Sequence, residues 1–297
     1  MLAAILPIAL TIAAGFALKA SGIIPRESWG PIETLCYRLL FPVLLIDIIS
    51  NADLAFGALA DYAVAILVTL AAGGALALAA SARMDGPART TIFQTATRWN
   101  GFLALAAAPG FLGAEGAPLI AMAMVVIIAP VNIACVLVLS RWGSADPSLA
   151  GMAKSIGRNP LVQGSLIGLA MNLAGLHLPG ILQTTFEMIG AGGLGIALLC
   201  VGAGIEAGRL RRLTGATLLG LAFRPVLMPA LFLAAAWALG LGELERLAGV
   251  LAFAVPTAAN GYIVARAMGG DAPLYAEIMA WQTLLAIAAL PLWAALA

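Results

Sequence analysis

Hydrophobic segments of membrane-crossing length follow one another along the whole chain and leave no room for a soluble domain. Hydrophobic residues make up 63% of the 297 residues and charged residues only 10%, whereas soluble proteins contain about 25% charged residues. A helical crossing needs about 20 apolar residues. The pattern predicts an all-α integral membrane protein with ten transmembrane helices, at residues 2–20, 31–50, 60–82, 89–110, 116–141, 159–176, 183–206, 213–240, 246–268 and 272–296.

Lysines and arginines alternate between the predicted connections, and this alternation gives the helices a direction. Eleven of the 15 lie in connections after odd-numbered segments, one lies after an even-numbered segment, and three lie within segments. Because cytoplasmic loops are enriched in Lys and Arg, both termini are expected on the non-cytoplasmic side. The net charge of +1 and the lack of a basic run exclude nucleic acid as a partner.

A six-residue pattern occurs twice, 160 positions apart, within the fourth and ninth segments. It is Thr-Arg-Trp-Asn-Gly-Phe at 97–102 and Thr-Ala-Ala-Asn-Gly-Tyr at 257–262. Asn competes with the backbone for hydrogen bonds and Gly has the largest backbone entropy, so an Asn-Gly pair interrupts a helix. In hydrocarbon an interrupted helix persists only where protein or a wet cavity satisfies its backbone. Matched interruptions in two halves indicate the substrate site of a transporter.

A second match between the halves supports an internal repeat. Ala-Pro-Leu follows the fourth segment at 117–119 and the ninth segment at 272–274. Five helices per repeat is an odd number, so the second copy must enter the membrane with opposite polarity. The predicted fold is therefore two inverted five-helix repeats, in which the broken helices four and nine cross near the bilayer midplane.

Several motifs, taken in order, resemble the auxin efflux carrier family, which includes plant PIN-FORMED carriers and bacterial malonate-type transporters. The matching pieces cover nearly the whole chain and are Arg98–Phe102, Pro130-Val-Asn132, Arg158-Asn-Pro160, Gly195–Leu199 with Gly202, and Pro256–Tyr262. The family usually has Pro beside Asn in both repeats, and here only the second copy has it, at Pro256. Plant carriers place a lysine one turn after a carboxylate that corresponds to Asp61, and here that position is Ala65.

The resemblance implies a fixed scaffold, a moving transport domain and elevator-like alternating access. It assigns residues 1–50 and 159–207 to scaffold helices, 51–142 and 208–297 to transport-domain helices, and 143–158 to a cytoplasmic linker. It also implies organic anion substrates, a homodimer, and a location in the plasma membrane, which is the inner membrane of a bacterium.

The repeated motif supplies the first candidates for substrate binding, which are Asn100, Gly101, Asn260 and Gly261. The glycines would let backbone dipoles approach a ligand, and the half-helix N-termini beyond them favour anionic groups. Hydrogen bonding between helices is the alternative role for both asparagines. The other predicted lining residues are Gln94, Thr97, Asn132, Pro256, Thr257, Tyr262 and Gln282.

Arg98 is the most informative charged residue, because it lies deep within its segment. A cation at the centre of a membrane helix costs about 2.5–3.5 kcal/mol on insertion scales, and a guanidinium can hold a carboxylate through two parallel hydrogen bonds. We expect Arg98 to bind substrate, and an ion pair with Glu277 or Asp61 is the alternative. The candidates for ion or proton coupling are Asp47, Asp61, Glu187, Glu277 and the equally deep Arg224; Asp47 and Glu187 could equally form a gate at the outer surface.

Together these features predict a secondary active transporter for a small organic anion, a carboxylate of the auxin or malonate type. A sodium-coupled symporter of the bile-acid type and a channel remain alternatives, because both also use broken membrane helices. One histidine, no cysteine pair and no HExxH motif leave little for an enzyme or a metal site, and no cofactor is expected. The expected partners are the anion, the lipid bilayer and a second copy of the chain.

Overall fold

The computed structural model describes residues 2–51, 56–113, 116–143, 158, 160–205, 207–211 and 213–297, in which helices are joined by turns and no strand occurs. Most of the predicted linker (144–157) and Asn159 of the Arg-Asn-Pro motif lie outside these described residues. The helices of the first half are α1 (Leu2–Ala20), α2 (Trp29–Leu35), α3 (Phe41–Ser50), α4 (Phe56–Ala80), α5 (Gly86–Thr97), α6 (Gly101–Leu112) and α7 (Gly116–Trp142).

The second half of the chain also contains seven described helices. They are α8 (Pro160–Leu173), α9 (Gly180–Gly204), α10 (Gly215–Leu221), α11 (Met228–Ala238), α12 (Glu243–Ala254), α13 (Asn260–Ala267) and α14 (Ala272–Ala294). A π-helical turn at Cys36–Leu40 joins α2 to α3, and another at Ala222–Leu227 joins α10 to α11. Short 3₁₀ turns occupy Arg26–Ser28 and Ala207–Arg211.

Five helical stretches of the described chain are long and apolar enough to cross a bilayer. They are Ala60–Ala80, Gly116–Trp142, Gly180–Gly204, Gly215–Ala238 and Ala272–Ala294. The other predicted segments are shorter helices or pairs of half-helices, such as α5 with α6 and α12 with α13. The chain is therefore an all-helical, multi-pass membrane protein, while the count of ten crossings and the inverted repeat stay predictions.

Glycines allow close packing within one group of helices. α1 packs against α9, and α3 packs against α8. A side chain at Gly15 would overlap the backbone of Leu199, and one at Gly202 would overlap the backbone of Ile12. Small residues of this kind let membrane helices approach backbone to backbone. These helices belong to the predicted scaffold, and the division into scaffold and transport domain stays a prediction.

Aromatic side chains fill the centre of a second group of helices. Phe232 of α11 stacks on Phe253 of α12 at 5.5 Å between ring centroids, and it meets Tyr62 of α4 edge to face at 6.1 Å. All three side chains are fully buried. Aromatic pairs with these geometries add to the stability that burial gives. They fix α12, and with it one of the two Asn-Gly motifs, against α4 and α11.

Candidate functional site

The first Asn-Gly motif separates α5 from α6. α5 ends at Thr97, and Arg98 leaves it in an extended conformation with φ −66° and ψ 145°. α6 begins at Gly101, and the side-chain oxygen of Asn100 accepts a hydrogen bond from the Leu103 amide at 3.1 Å. Asn100 therefore caps the N-terminus of α6 and satisfies one of the amides that a helix start leaves exposed.

The second motif separates α12 from α13, but its local geometry differs. α12 ends at Ala254, and Val255 is extended with φ −65° and ψ 154°. Asn260 is the first residue of α13, and its side chain makes no capping hydrogen bond. The amides of Gly261 and Tyr262 donate at 3.2 and 3.1 Å to the carbonyls three residues before them. The start of α13 thus has fewer free amides than the start of α6.

Two side chains of α14 hold the backbone of the second break. Gln282 accepts a hydrogen bond from the Thr257 amide at 2.9 Å, and the Tyr275 hydroxyl donates to the Ala258 carbonyl at 2.6 Å. The Tyr275 hydroxyl also lies 2.6 Å from the Thr257 hydroxyl. These bonds supply the partners that a broken helix needs within a membrane.

The two breaks contact each other directly. The Asn100 amide donates to the Pro256 carbonyl at 2.8 Å, which joins the first break to the second. Gln282 adds a link by donating to the carbonyls of Thr95 at 3.4 Å and Gly220 at 3.1 Å. Arg224, which is fully buried, donates to carbonyls at the ends of both α5 and α12.

A cavity of about 1210 Å³ reaches both breaks. Its polar wall includes Arg98, Asn100, Asn132, Thr257 and Asn260. The rest of the wall is largely apolar, with side chains from α7, α9 and α13. Phe41 of α3 and Phe102 of α6 also line it and stack with 3.5 Å between ring centroids. The cavity is larger than the roughly 300–1,000 Å³ of enclosed ligand pockets, as expected for an open pathway.

Arg98 is held at the cavity wall by neutral partners. Its Nε donates to the side-chain oxygen of Gln94 at 3.1 Å, and Nη1 donates to that of Asn132 at 2.9 Å. The side chain is only 4% exposed, and it forms no ion pair with any carboxylate of the described residues. Bonds to oxygen thus use two of the five N–H donors of the guanidinium. The guanidinium also forms a hydrogen bond with the Cys135 side chain. Its charge has no carboxylate partner among the described residues and is available to an anion.

Further donors lie next to Arg98 in the same cavity wall. The side-chain NH2 of Asn100 forms no hydrogen bond with the described residues, since only its oxygen caps α6. The amides of Gly101 and Phe102 at the start of α6 are likewise without a partner in the described chain. Asn260 is exposed to the cavity. Free amides at a helix start and amide side chains bind anions.

The structure brings only part of the predicted set to the cavity. Arg98, Asn100, Gly101, Asn132, Thr257 and Asn260 line it. The others lie behind the wall or away from it: Gln94, Thr97, Pro256, Gly261, Tyr262 and Gln282. Among these, the Thr97 hydroxyl donates to the carbonyl of Phe93 at 2.8 Å, the usual behaviour of a threonine within a helix. Binding roles for all twelve stay predictions.

The predicted coupling carboxylates lie away from this cavity. Asp47 accepts from the Gln183 side chain at 2.6 Å, and the same nitrogen donates to Glu187 at 3.0 Å. Asp61 is exposed. Glu277 accepts a hydrogen bond from Thr217 and lines a separate cavity of about 620 Å³. A coupling role for any of them stays a prediction.

Sequence reasoning missed a face of α2 and of the turn after it that lines the same cavity. Gly30, Glu33 and Thr34 of α2, Tyr37 of the π-helical turn and Phe41 of α3 all line it. Positions 30, 33 or 34, 37 and 41 are three or four residues apart and therefore share one helix face. This spacing, with the polar Glu33 and Thr34 in an otherwise apolar stretch, was the available signal.

Comparison with known proteins agrees with this architecture. A family model described as membrane transport protein matches residues 148–294, the second half of the chain. No curated protein matches the chain significantly.

An all-helical membrane fold with a cavity at two broken helices, together with this match, defines the class: the chain is a membrane transport protein. The resemblance to the auxin efflux carrier family that the sequence shows is thereby confirmed over residues 148–294.

Proposed function

We propose that the chain is a secondary carrier for a small organic anion, which binds where the two helix breaks meet. The observation that carries this proposal is the convergence of unused donors on one cavity wall: the guanidinium of Arg98, the amide side chain of Asn100 and the free amides at the start of α6. A carboxylate would supply the acceptors and the negative charge that these donors favour.

Electrostatics favours an anion over a neutral solute at this position. The Arg98 side chain is buried in a membrane protein and has no carboxylate partner among the described residues. Such a placement costs about 2.5–3.5 kcal/mol on insertion scales. A bound carboxylate would offset part of this cost through charge-assisted hydrogen bonds. The positive end of the α6 dipole lies at the same site and also favours an anion.

The shape of the cavity supports alternating access. Four of the residues that line it lie at helix ends next to the basic connections: Gly30, Leu161, Gly204 and Met268. Because basic connections are expected in the cytoplasm, we infer that the cavity opens inward. An elevator-like movement of the helices that carry both breaks, against α1, α3, α8 and α9, would expose the same site to the other side.

A thermal-shift screen of purified protein tests this function. Acetate, malonate, succinate, indole-3-acetate and taurocholate are each added in sodium and in choline buffers. A ligand in excess over its Kd raises the melting temperature by mass action. We expect at least one carboxylate to stabilise the protein equally in both buffers. Stabilisation by taurocholate that requires sodium would favour a bile-acid-type symporter, and labelled substrate that shows no counterflow in liposomes would favour a channel.

Asn100→Asp separates binding from folding in the same assay. Aspartate keeps the oxygen that caps Leu103 but replaces the free NH2 with a negative charge, so the fold is retained and an anion is repelled. We expect the carboxylate response to be lost while the melting temperature without ligand stays near that of the wild type. Asn51→Ala, at the exposed end of α3, is the matched control and should respond normally. An unchanged response of Asn100→Asp would contradict the proposed site.

A further inference from the structure

Arg224 is a buried arginine whose charge meets backbone carbonyls rather than a carboxylate. It lies at the kink between α10 and α11 and is 0% exposed. It forms no ion pair with the carboxylates of the described chain. Its donors reach five carbonyl oxygens at 2.8–3.5 Å, those of Ala96, Thr97, Ala252, Phe253 and Val255.

These carbonyls share one feature, which is their place at the C-terminal ends of two half-helices. Ala96 and Thr97 end α5, Ala252 and Phe253 lie in the last turn of α12, and Val255 follows it. A helix C-terminus carries about half a negative charge, so two such ends form a strongly negative pocket. In transporters with broken helices, half-helix C-termini and unwound carbonyls coordinate the coupling sodium ion or proton.

We propose that the guanidinium of Arg224 is a tethered cation that takes the place of a coupling sodium ion at the meeting point of the two breaks. It neutralises the negative ends of α5 and α12 permanently, while the positive start of α6 remains free for an anion. It also joins both half-helices to the α10–α11 kink, so that the three parts move as one body. Transport then requires no sodium at this position.

The hydrogen-bond geometry fits a guanidinium better than a small ion. Nε, Nη1 and Nη2 each reach different carbonyls, so the oxygens are spread over the width of a planar group. A lysine would offer a compact ammonium with three donors, which cannot span both helix ends in the same way. Arg224 is therefore a positioning residue, since it does not line the cavity.

The inference rests on the proposed carrier function only where it concerns sodium coupling of transport. Its test uses no organic anion. Melting temperatures are measured for wild type, Arg224→Ala and Arg246→Ala, in sodium chloride and in choline chloride, with and without millimolar guanidinium chloride. Arg246 is the matched control because it also donates to a backbone carbonyl, that of Leu241, but is only partly buried.

We expect Arg224→Ala to melt about 5–10 °C below the wild type, because five buried carbonyls lose their partner. Free guanidinium should bind the vacated pocket and recover part of this loss by mass action. It should not raise the melting temperature of the wild type or of Arg246→Ala. The wild type should melt at the same temperature in sodium and in choline.

Either of two results would overturn the inference: stabilisation of the wild type by sodium over choline, or no selective effect of guanidinium on Arg224→Ala. If Arg224→Ala cannot be purified, Arg224→Lys replaces it, and a wild-type melting temperature for Arg224→Lys would contradict the need for a planar cation. A higher melting temperature in sodium than in choline contradicts the tethered cation but leaves the carrier function standing. A melting temperature that no carboxylate changes contradicts the carrier function but leaves the tethered cation standing.

Discussion

Two buried arginines of this protein have opposite surroundings. Arg98 uses neutral side chains as partners and keeps donors facing a cavity. Arg224 gives its donors to backbone carbonyls and does not reach that cavity. Both lie deep in apolar segments, and the sequence predicted substrate binding for Arg98 and ion or proton coupling for Arg224 without revealing their partners. The difference arises from which end of a broken helix each one meets, and this depends on tertiary contacts.

Replacing Arg98 with glutamine should discriminate between substrates by charge. The variant keeps a hydrogen-bond donor but removes the positive charge. The attraction between two close opposite charges is up to about 4 kcal/mol near a protein surface. We expect Arg98→Gln to weaken malonate about tenfold more than monomethyl malonate, because only the first is a dianion. Binding constants from calorimetry measure this ratio.

Arg38→Gln serves as the control for the charge effect. Arg38 is exposed and does not line the cavity, although it lies on a neighbouring helical turn. Its substitution should leave the ratio of the two binding constants unchanged. Equal losses for malonate and its ester in Arg98→Gln would remove Arg98 from the binding site.

At the scale of elements, the sequence predicted where the helices break because Asn and Gly act locally. The breaks fall at Arg98–Asn100 and at 255–259, next to the two Asn-Gly pairs. The lack of a proline beside Asn100 indicated that the first break has a different shape, but not which residues make the difference. Asn100 is the N-cap residue of α6, whereas Ala259 is the N-cap residue of α13 and Asn260 is its first helical residue. The partners that shape the second break, Tyr275 and Gln282, come from a helix distant in sequence.

The two motif glycines should therefore differ in their tolerance of a side chain. A Cβ at Gly261 would overlap the Tyr275 hydroxyl, which is fixed by its hydrogen bonds. At Gly101 the nearest atom would be the Met124 methyl at 3.1 Å, and a methionine can move aside. We expect Gly261→Ala to lower the melting temperature by about 5 °C or more, and Gly101→Ala to lower it less.

Gly192→Ala gives the baseline for this comparison. A Cβ at Gly192 meets nothing within 4 Å, so alanine there should be neutral or slightly stabilising. A melting temperature for Gly261→Ala that equals this baseline would show that the second break is looser than the contacts of Tyr275 indicate.

At the scale of the whole molecule, the proposed inward opening of the cavity agrees with the charge distribution. Residues at helix ends next to the basic connections line the cavity, and so do residues of the two breaks. The charge alternation was readable from the sequence, because it depends only on composition between apolar segments. The existence and direction of the cavity were not, since they depend on how α2, α7, α9 and α13 are arranged around the breaks.

Labelling of single cysteines tests this direction across one predicted crossing. Thr34 lies near the start of the predicted crossing at 31–50 and lines the cavity, and Asn51 follows the other end of this crossing, after α3. In a background with alanine at the three native cysteines, an impermeant maleimide should label Thr34→Cys in inside-out vesicles only. It should label Asn51→Cys in right-side-out vesicles only, because the bilayer separates the two ends. Thr34→Cys labelled from the outside would mean that the cavity opens to the periplasmic or extracellular side. The same side for both cysteines would mean that α2 and α3 do not cross the membrane together.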